Sequence, residues 1–86
     1  MKLKMYAVKD KATEMYGNPM FLVATGQAIR SFTDEINNKE DRQNQLAKHP
    51  EHFELYELGE YDTDDGSFKT ISPNCLIRGI DCVIKT

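Results

Sequence analysis

The chain has no tryptophan, only two cysteines and three prolines, and no long apolar run. Its longest uninterrupted apolar stretch, Met20 to Ala24, is five residues, far short of the ~20 that a helix needs to cross a bilayer. A membrane-spanning helix is therefore excluded. Behind the basic start at Lys2 and Lys4, charges return at Lys9, Asp10 and Lys11 before any apolar segment can form, so a secretory leader is not expected. Cys75 and Cys82 stand seven apart, neither a CxxC pair nor half of a zinc knuckle. Two reduced, partly buried thiols in a cytoplasmic setting are the expectation.

Catalytic signatures are also missing. There is no GxSxG elbow, no GxGxxG and no phosphate-binding loop, and Gly26 after an apolar run is a single glycine. The acidic turn Asp62-Thr63-Asp64-Asp65-Gly66 fails as a calcium loop, because counting from Asp62 puts Gly66 at position five and Pro73 at position twelve, where an EF-hand needs glycine at six and glutamate at twelve. His49 and His52 are three apart with Pro50 between them, and no third ligand stands at a familiar zinc spacing. The expectation is two surface histidines, no metal, no cofactor and no enzymatic activity.

What remains is one small domain spanning residues 1–86, since a chain of this length buries only about 60 to 65% of its extended surface and cannot divide that core. Eleven basic and fourteen acidic residues leave a net charge of -3, which opposes strong nonspecific nucleic-acid binding. The charges are uneven. Lys2, Lys4, Lys9 and Lys11 crowd the N-terminus, while His49 to Phe68 holds seven carboxylates and no lysine or arginine. Two electrostatic faces are expected.

Residues 2–8 alternate, with Leu3, Met5 and Ala7 on one side and Lys2, Lys4 and Tyr6 on the other, which predicts a half-buried strand with the lysines and Tyr6 outward. Asp10 to Pro19 reads as loop, and Met20 to Ala24 as a strand covered on both faces. Thr25 then caps a helix whose apolar arc is Ala28, Ile29, Phe32 and Ile36, with Arg30 and Asp34 on the wet side and Asn37-Asn38 at its end. Residues 39–48 predict a polar loop or short surface helix. Phe53 to Tyr61 resumes a strand, and the break in its alternation at Glu57-Leu58 predicts a bulge. The acidic turn returns Ser67 to Ile71 antiparallel to it. Ser72-Pro73-Asn74 predicts a turn or helix start, and the alternation of Ile80, Cys82 and Ile84 with Asp81, Val83 and Lys85 a final strand. The sum is α+β: a small, mainly antiparallel sheet with one main helix packed on one face, in the order β-β-α-β-β-β.

Lys2 and Lys4 flanking Tyr6 form a combination that contacts phosphates and stacks a base, which makes Lys2, Lys4, Tyr6 and Arg30 candidate DNA-binding residues. If that strand lies beside the acidic one, the same lysines pair instead with glutamates across the sheet. Glu54, Glu57 and Glu60 are the corresponding candidates for a protein contact.

Three segments carry a family resemblance: MKLKMYAVKD; Phe21 with TGQAIRSFTDEIN; and KHPEHFELYELGEYDTDDGSF. Their most distinctive parts are GQAIRSF, HPE-x-F-x-L and LG-x-x-D-x-x-x-G-x-F. The chain resembles, over roughly residues 1 to 70, the small nonstructural protein of gokushoviruses, tailless phages of the Microviridae with circular single-stranded DNA genomes. His52 stands where that pattern leads one to expect an acidic residue. The resemblance implies a noncatalytic accessory protein of single-stranded genome replication and packaging in the host bacterial cytoplasm. It would bind single-stranded DNA, the phage replication initiator, or both. The alternative is a host-directed interaction module whose acidic face mimics DNA. Uncovered edge strands and a small core add the expectation of a homodimer.

Overall fold

A computed structural model describes residues 1–84, and Lys85, assigned above to the last strand, lies outside them. Five strands and one long helix form: β1 (Lys2–Asp10), β2 (Met15–Tyr16), β3 (Met20–Leu22), α1 (Thr25–Ile36), a one-turn helix α2 (Gln45–Lys48), β4 (Phe53–Asp62) and β5 (Phe68–Arg78). Short 3-10 turns occupy Pro50–His52 and Gly79–Cys82. The sheet is antiparallel throughout. β1 and β4 are central, β5 is one edge, and β2 and β3 share the free side of β1. The class is α+β, as the patterning predicts, but the element order is β-β-β-α-α-β-β.

The core lies between the sheet and α1. Ala28, Phe32 and Ile36 recur every fourth residue, one stripe of the helix, and pack against Tyr6, Leu55 and Cys82. Thr25 is not the cap expected of it. Ala24 holds that position, its N–H donating to Gln27 Oε1 at 3.2 Å and its carbonyl accepting from the Gln27 N–H at 3.1 Å. The Thr25 hydroxyl instead meets the Tyr6 hydroxyl at 2.8 Å. At the other end, Asn37 Nδ2 donates to the carbonyls of Thr33 (2.8 Å) and Cys82 (2.9 Å), pinning the C-terminal segment to the helix. Residues 39–48 contain α2, capped by the buried Asn44. Its Oδ1 accepts from Leu46 N–H, while its Nδ2 donates to the carbonyls of Glu35 and Asn38.

Three expectations fail for identifiable reasons. The stretch after Asp10 is a tight hairpin, not an open loop, turned by Asp10 Oδ1 accepting from Ala12 N–H and by Glu14 at φ 61°. Ser72-Pro73-Asn74 does not end a strand. It is a bulged part of β5, where Gly59 pairs with Thr70 but Glu57 with Asn74, and proline is tolerated because this is an edge strand. Residues 79–82 form a 3-10 turn where a final strand was expected. Gly79 packs so closely that a Cβ would overlap the Pro50 carbonyl and lie 2.9 Å from Ile36 Cδ1. Arg78 and Asp81 then close the turn with paired contacts at 3.0 and 3.2 Å. Only Cys82 of the alternating trio is buried; Ile80 and Ile84 are exposed.

β3 is also less covered than expected. It is three residues long, with Phe21 and Val23 exposed. The predicted bulge is present: Met5 pairs with Gly59 and Tyr6 with Glu57, which leaves Leu58 as the extra residue of β4. Because side chains alternate with a period of two, one inserted residue exchanges the faces of everything after it. Up to Glu57 the odd residues of β4 face α1; from Gly59 onward they face away. The Cα radius of gyration is 13.5 Å, above the about 12 Å usual for this length. The excess reflects the far end of the sheet, which runs on beyond the helix as a β1-β4-β5 ribbon.

Candidate nucleic-acid interface

Antiparallel partners share a face, so the register assigns each strand residue to a side. The α1 side carries Lys2, Lys4, Tyr6 and Val8 of β1, opposite Asp62, Glu60, Glu57 and Leu55 of β4. The other side carries Leu3, Met5, Ala7 and Lys9, opposite Tyr61, Gly59, Tyr56 and Glu54. Tyr16 stands opposite Lys9, Phe21 opposite Met5, and Phe68 opposite Tyr61. Five of the eight tyrosines and phenylalanines thus occupy the face that no helix covers, while Tyr6, Phe32 and Phe53 belong to the core.

The five rings form two groups. Tyr61 contacts Phe21 at 5.7 Å and Phe68 at 4.9 Å between centroids; Tyr16 meets Tyr56 edge-on at 5.5 Å. Lys9 Nζ sits over both rings of the second group, 5.6 Å from Tyr16 and 6.0 Å from Tyr56, in cation–π range. The rings cover the strand beneath them: Met5 and Ala7 are buried without a second layer of secondary structure. Their outer surfaces stay open, with Phe68 59% exposed and Tyr16 and Phe21 both 40%. For a small chain with little core, so much aromatic surface left in water makes this face the candidate contact surface.

Acidic charge gathers in the turn between Tyr61 and Phe68, where the Met1 ammonium lies 2.8 Å from Asp64 and 3.7 Å from Asp62, and the charges at the Tyr16–Tyr56 end are paired. Lys9 lies 3.3 Å from Glu14, Lys11 lies 3.8 Å from Glu54, and Arg78 is held by Asp81. Tyr56 donates its hydroxyl to Glu54 Oε1 at 2.9 Å, and this hydrogen bond pushes its pKa up to about 12. Such a surface offers π-faces first and fixed positive charge second.

The residues singled out from sequence lie elsewhere. Lys2, Lys4 and Tyr6 do share one side of β1, but it is the α1 side. Tyr6 is wholly buried under the helix, so its ring is not a stacking surface, and Lys2 and Lys4 stand on the ribbon opposite Asp62 and Glu60. Alternation identifies which residues share a face, not which face receives the helix. Arg30 is exposed on α1, away from the rings. The acidic trio is divided as well: Glu54 belongs to the aromatic side, Glu57 and Glu60 to the other. Cys75 is exposed opposite Tyr56, not partly buried as expected, while Cys82 is buried.

Sequence reasoning missed Tyr16, Phe21, Tyr56, Tyr61, Phe68 and Lys9. Tyr56 and Tyr61 are five apart, which in a regular strand would send them to opposite faces. The Leu58 bulge brings them to the same one, and that bulge was legible.

The family described as Phage ORF5 protein matches residues 3–82. The chain belongs to this family. It is a phage protein, and its matched span includes the five strands except Lys2 of β1, together with α1 and every ring of the open face. No curated protein and no solved structure matches the chain. Among the described residues no helix is long and apolar enough to cross a membrane.

Proposed function

We propose that this ORF5-family chain is a noncatalytic phage accessory protein that binds single-stranded DNA by stacking bases on the open face of its sheet. In this reading it acts in replication and packaging of a single-stranded genome within the infected bacterium, as the gokushovirus resemblance implies. The observation that carries the proposal is the pair of aromatic groups, Tyr16–Tyr56 and Phe21–Tyr61–Phe68, on a face without a covering layer. Every base has a π-face, so such a platform accepts single strands with little regard to sequence, at about 1–3 kcal/mol per stacked base. Duplex DNA keeps its bases stacked inside and offers the platform nothing.

The balanced charges add a quantitative signature. With Lys9, Lys11 and Arg78 as the cations beside the rings among the described residues, one to three phosphates are contacted, and log K should fall with log salt at a slope of about -0.7 to -2, shallow for a nucleic-acid binder. The test is fluorescence anisotropy with a labelled oligothymidylate. Tyr61→Ala and Phe68→Ala should each weaken binding about five- to hundredfold, whereas a Lys2→Ala/Lys4→Ala variant should bind nearly as the parent does. Unchanged affinity in the ring variants defeats the proposal. A doubled mass in light scattering that returns to monomer in Phe68→Ala also defeats it, and assigns the face to a second copy of the chain.

A further inference from the structure

The segment His49-Pro50-Glu51-His52 links α2 to β4 and plays no part in the aromatic face. From sequence the two histidines lack a third ligand. In the structure Glu51 stands beside both. His49 caps the 3-10 turn that ends at His52, and the two imidazoles stack with centroids 5.3 Å apart and planes 18° from parallel. Glu51 Oε1 lies between them, 3.6 Å from His49 Nδ1 and 3.9 Å from His52 Nε2. Ligand-type atoms of all three side chains lie within 4.8 Å of one another.

Those separations are too long for hydrogen bonds. They approach what an ion held between the groups requires, since two ligands at about 2.0–2.1 Å from a tetrahedral zinc stand about 3.3 Å apart. The backbone beneath is already set. His49 N–H donates to Gln45 carbonyl at 2.9 Å, His52 N–H to His49 carbonyl at 2.9 Å, and His52 carbonyl accepts from Lys11 N–H at 2.7 Å. Pro50 fixes its own φ in the first turn. Closing the triangle therefore asks only for side-chain rotation.

We propose that His49, Glu51 and His52 form a surface site for one divalent transition-metal ion, with zinc as the ion its donors suit. Two imidazoles and one carboxylate favour zinc, nickel or copper over magnesium and calcium, which prefer all-oxygen shells. The three side chains are about half exposed, at 46 to 51%, so the outer coordination positions fall to water. Such a site would lie at the surface, outside the core of Tyr6, Ala28, Phe32, Ile36, Leu55 and Cys82.

The test is calorimetric titration of the untagged protein with zinc chloride near neutral pH, in the absence of DNA, so that its result is independent of the stacking proposal. One equivalent should bind, and magnesium should give no heat. His49→Ala, His52→Ala and Glu51→Gln should each lower zinc affinity about tenfold or more with unchanged far-UV circular dichroism, which separates ligand loss from unfolding. Cys75→Ser should leave affinity unchanged. The absence of saturable binding up to about 100 µM zinc, well above the range of protein zinc sites, overturns the proposal. Equal affinity in His52→Ala, or loss only in Cys75→Ser, overturns it too.

Discussion

Replacing Gly59 with alanine tests the feature on which the open face depends. Gly59 follows the Leu58 bulge at φ 146°, a conformation side chains rarely adopt, and a Cβ there would overlap the Lys69 carbonyl oxygen and stand 2.9 Å from Thr70 Cα. Strain at such a φ costs about 1–3 kcal/mol. The overlap is with backbone, so relief requires β5 to move off β4 and give up pairing around Gly59–Thr70, another ~1–2 kcal/mol of hydrogen bonding. The sum, about 2–5 kcal/mol, is a large share of the about 4–13 kcal/mol expected for a chain of this length. Gly59→Ala should therefore lower the melting temperature by at least about 8 °C. Gly26→Ala is the matched control: Gly26 lies in the first turn of α1 with nothing within 4 Å of the added methyl, so it should be neutral or stabilising by up to ~1 kcal/mol. Urea unfolding followed by circular dichroism measures both. A Gly59→Ala loss below about 1 kcal/mol would mean that β4 and β5 do not meet as described, and the argument that places Tyr61 beside Phe68 would fall with it.

Two further outcomes follow from single contacts. Asn44→Ala removes the side-chain hydrogen bonds to the Glu35 and Asn38 carbonyls and to the Leu46 N–H and should cost about 1–3 kcal/mol in urea unfolding; a neutral result would show that α2 is not docked through this side chain. The Tyr56 hydroxyl, held on Glu54, keeps its proton to about pH 12. A raised folded-state pKa means a contribution fully present below the unfolded value, about 10, and lost as pH climbs from there through about 12. The 295 nm titration of the parent minus that of Tyr56→Phe should accordingly show a midpoint near 12; a midpoint near 10 removes the Glu54 hydrogen bond from the account.

The sequence by itself determined the local pieces. The apolar stripe Ala28–Phe32–Ile36 specified α1, the Asp/Gly-rich turn specified the β4–β5 hairpin, and the break at Glu57-Leu58 specified a bulge, because each is encoded by neighbours within a few residues. Period-two alternation also grouped Lys2, Lys4 and Tyr6 correctly on one side of β1. It was silent on which side faces inward. A strand in the middle of a sheet can bury either face, and here it buries both: Tyr6 under α1, Met5 and Ala7 under aromatic rings drawn from β2, β3 and β4. Those rings are separated in sequence by up to 45 residues, from Tyr16 to Tyr61, and only strand pairing brings them together. The last segment shows the same division. Alternation of Ile80, Cys82 and Ile84 suited a strand, yet β5 already forms the sheet edge, and the close approach of Gly79 to the Pro50 carbonyl turns the chain under α1. Local pattern sets the conformations a segment can adopt; burial against the rest of the fold selects among them, and the open face is a product of that selection.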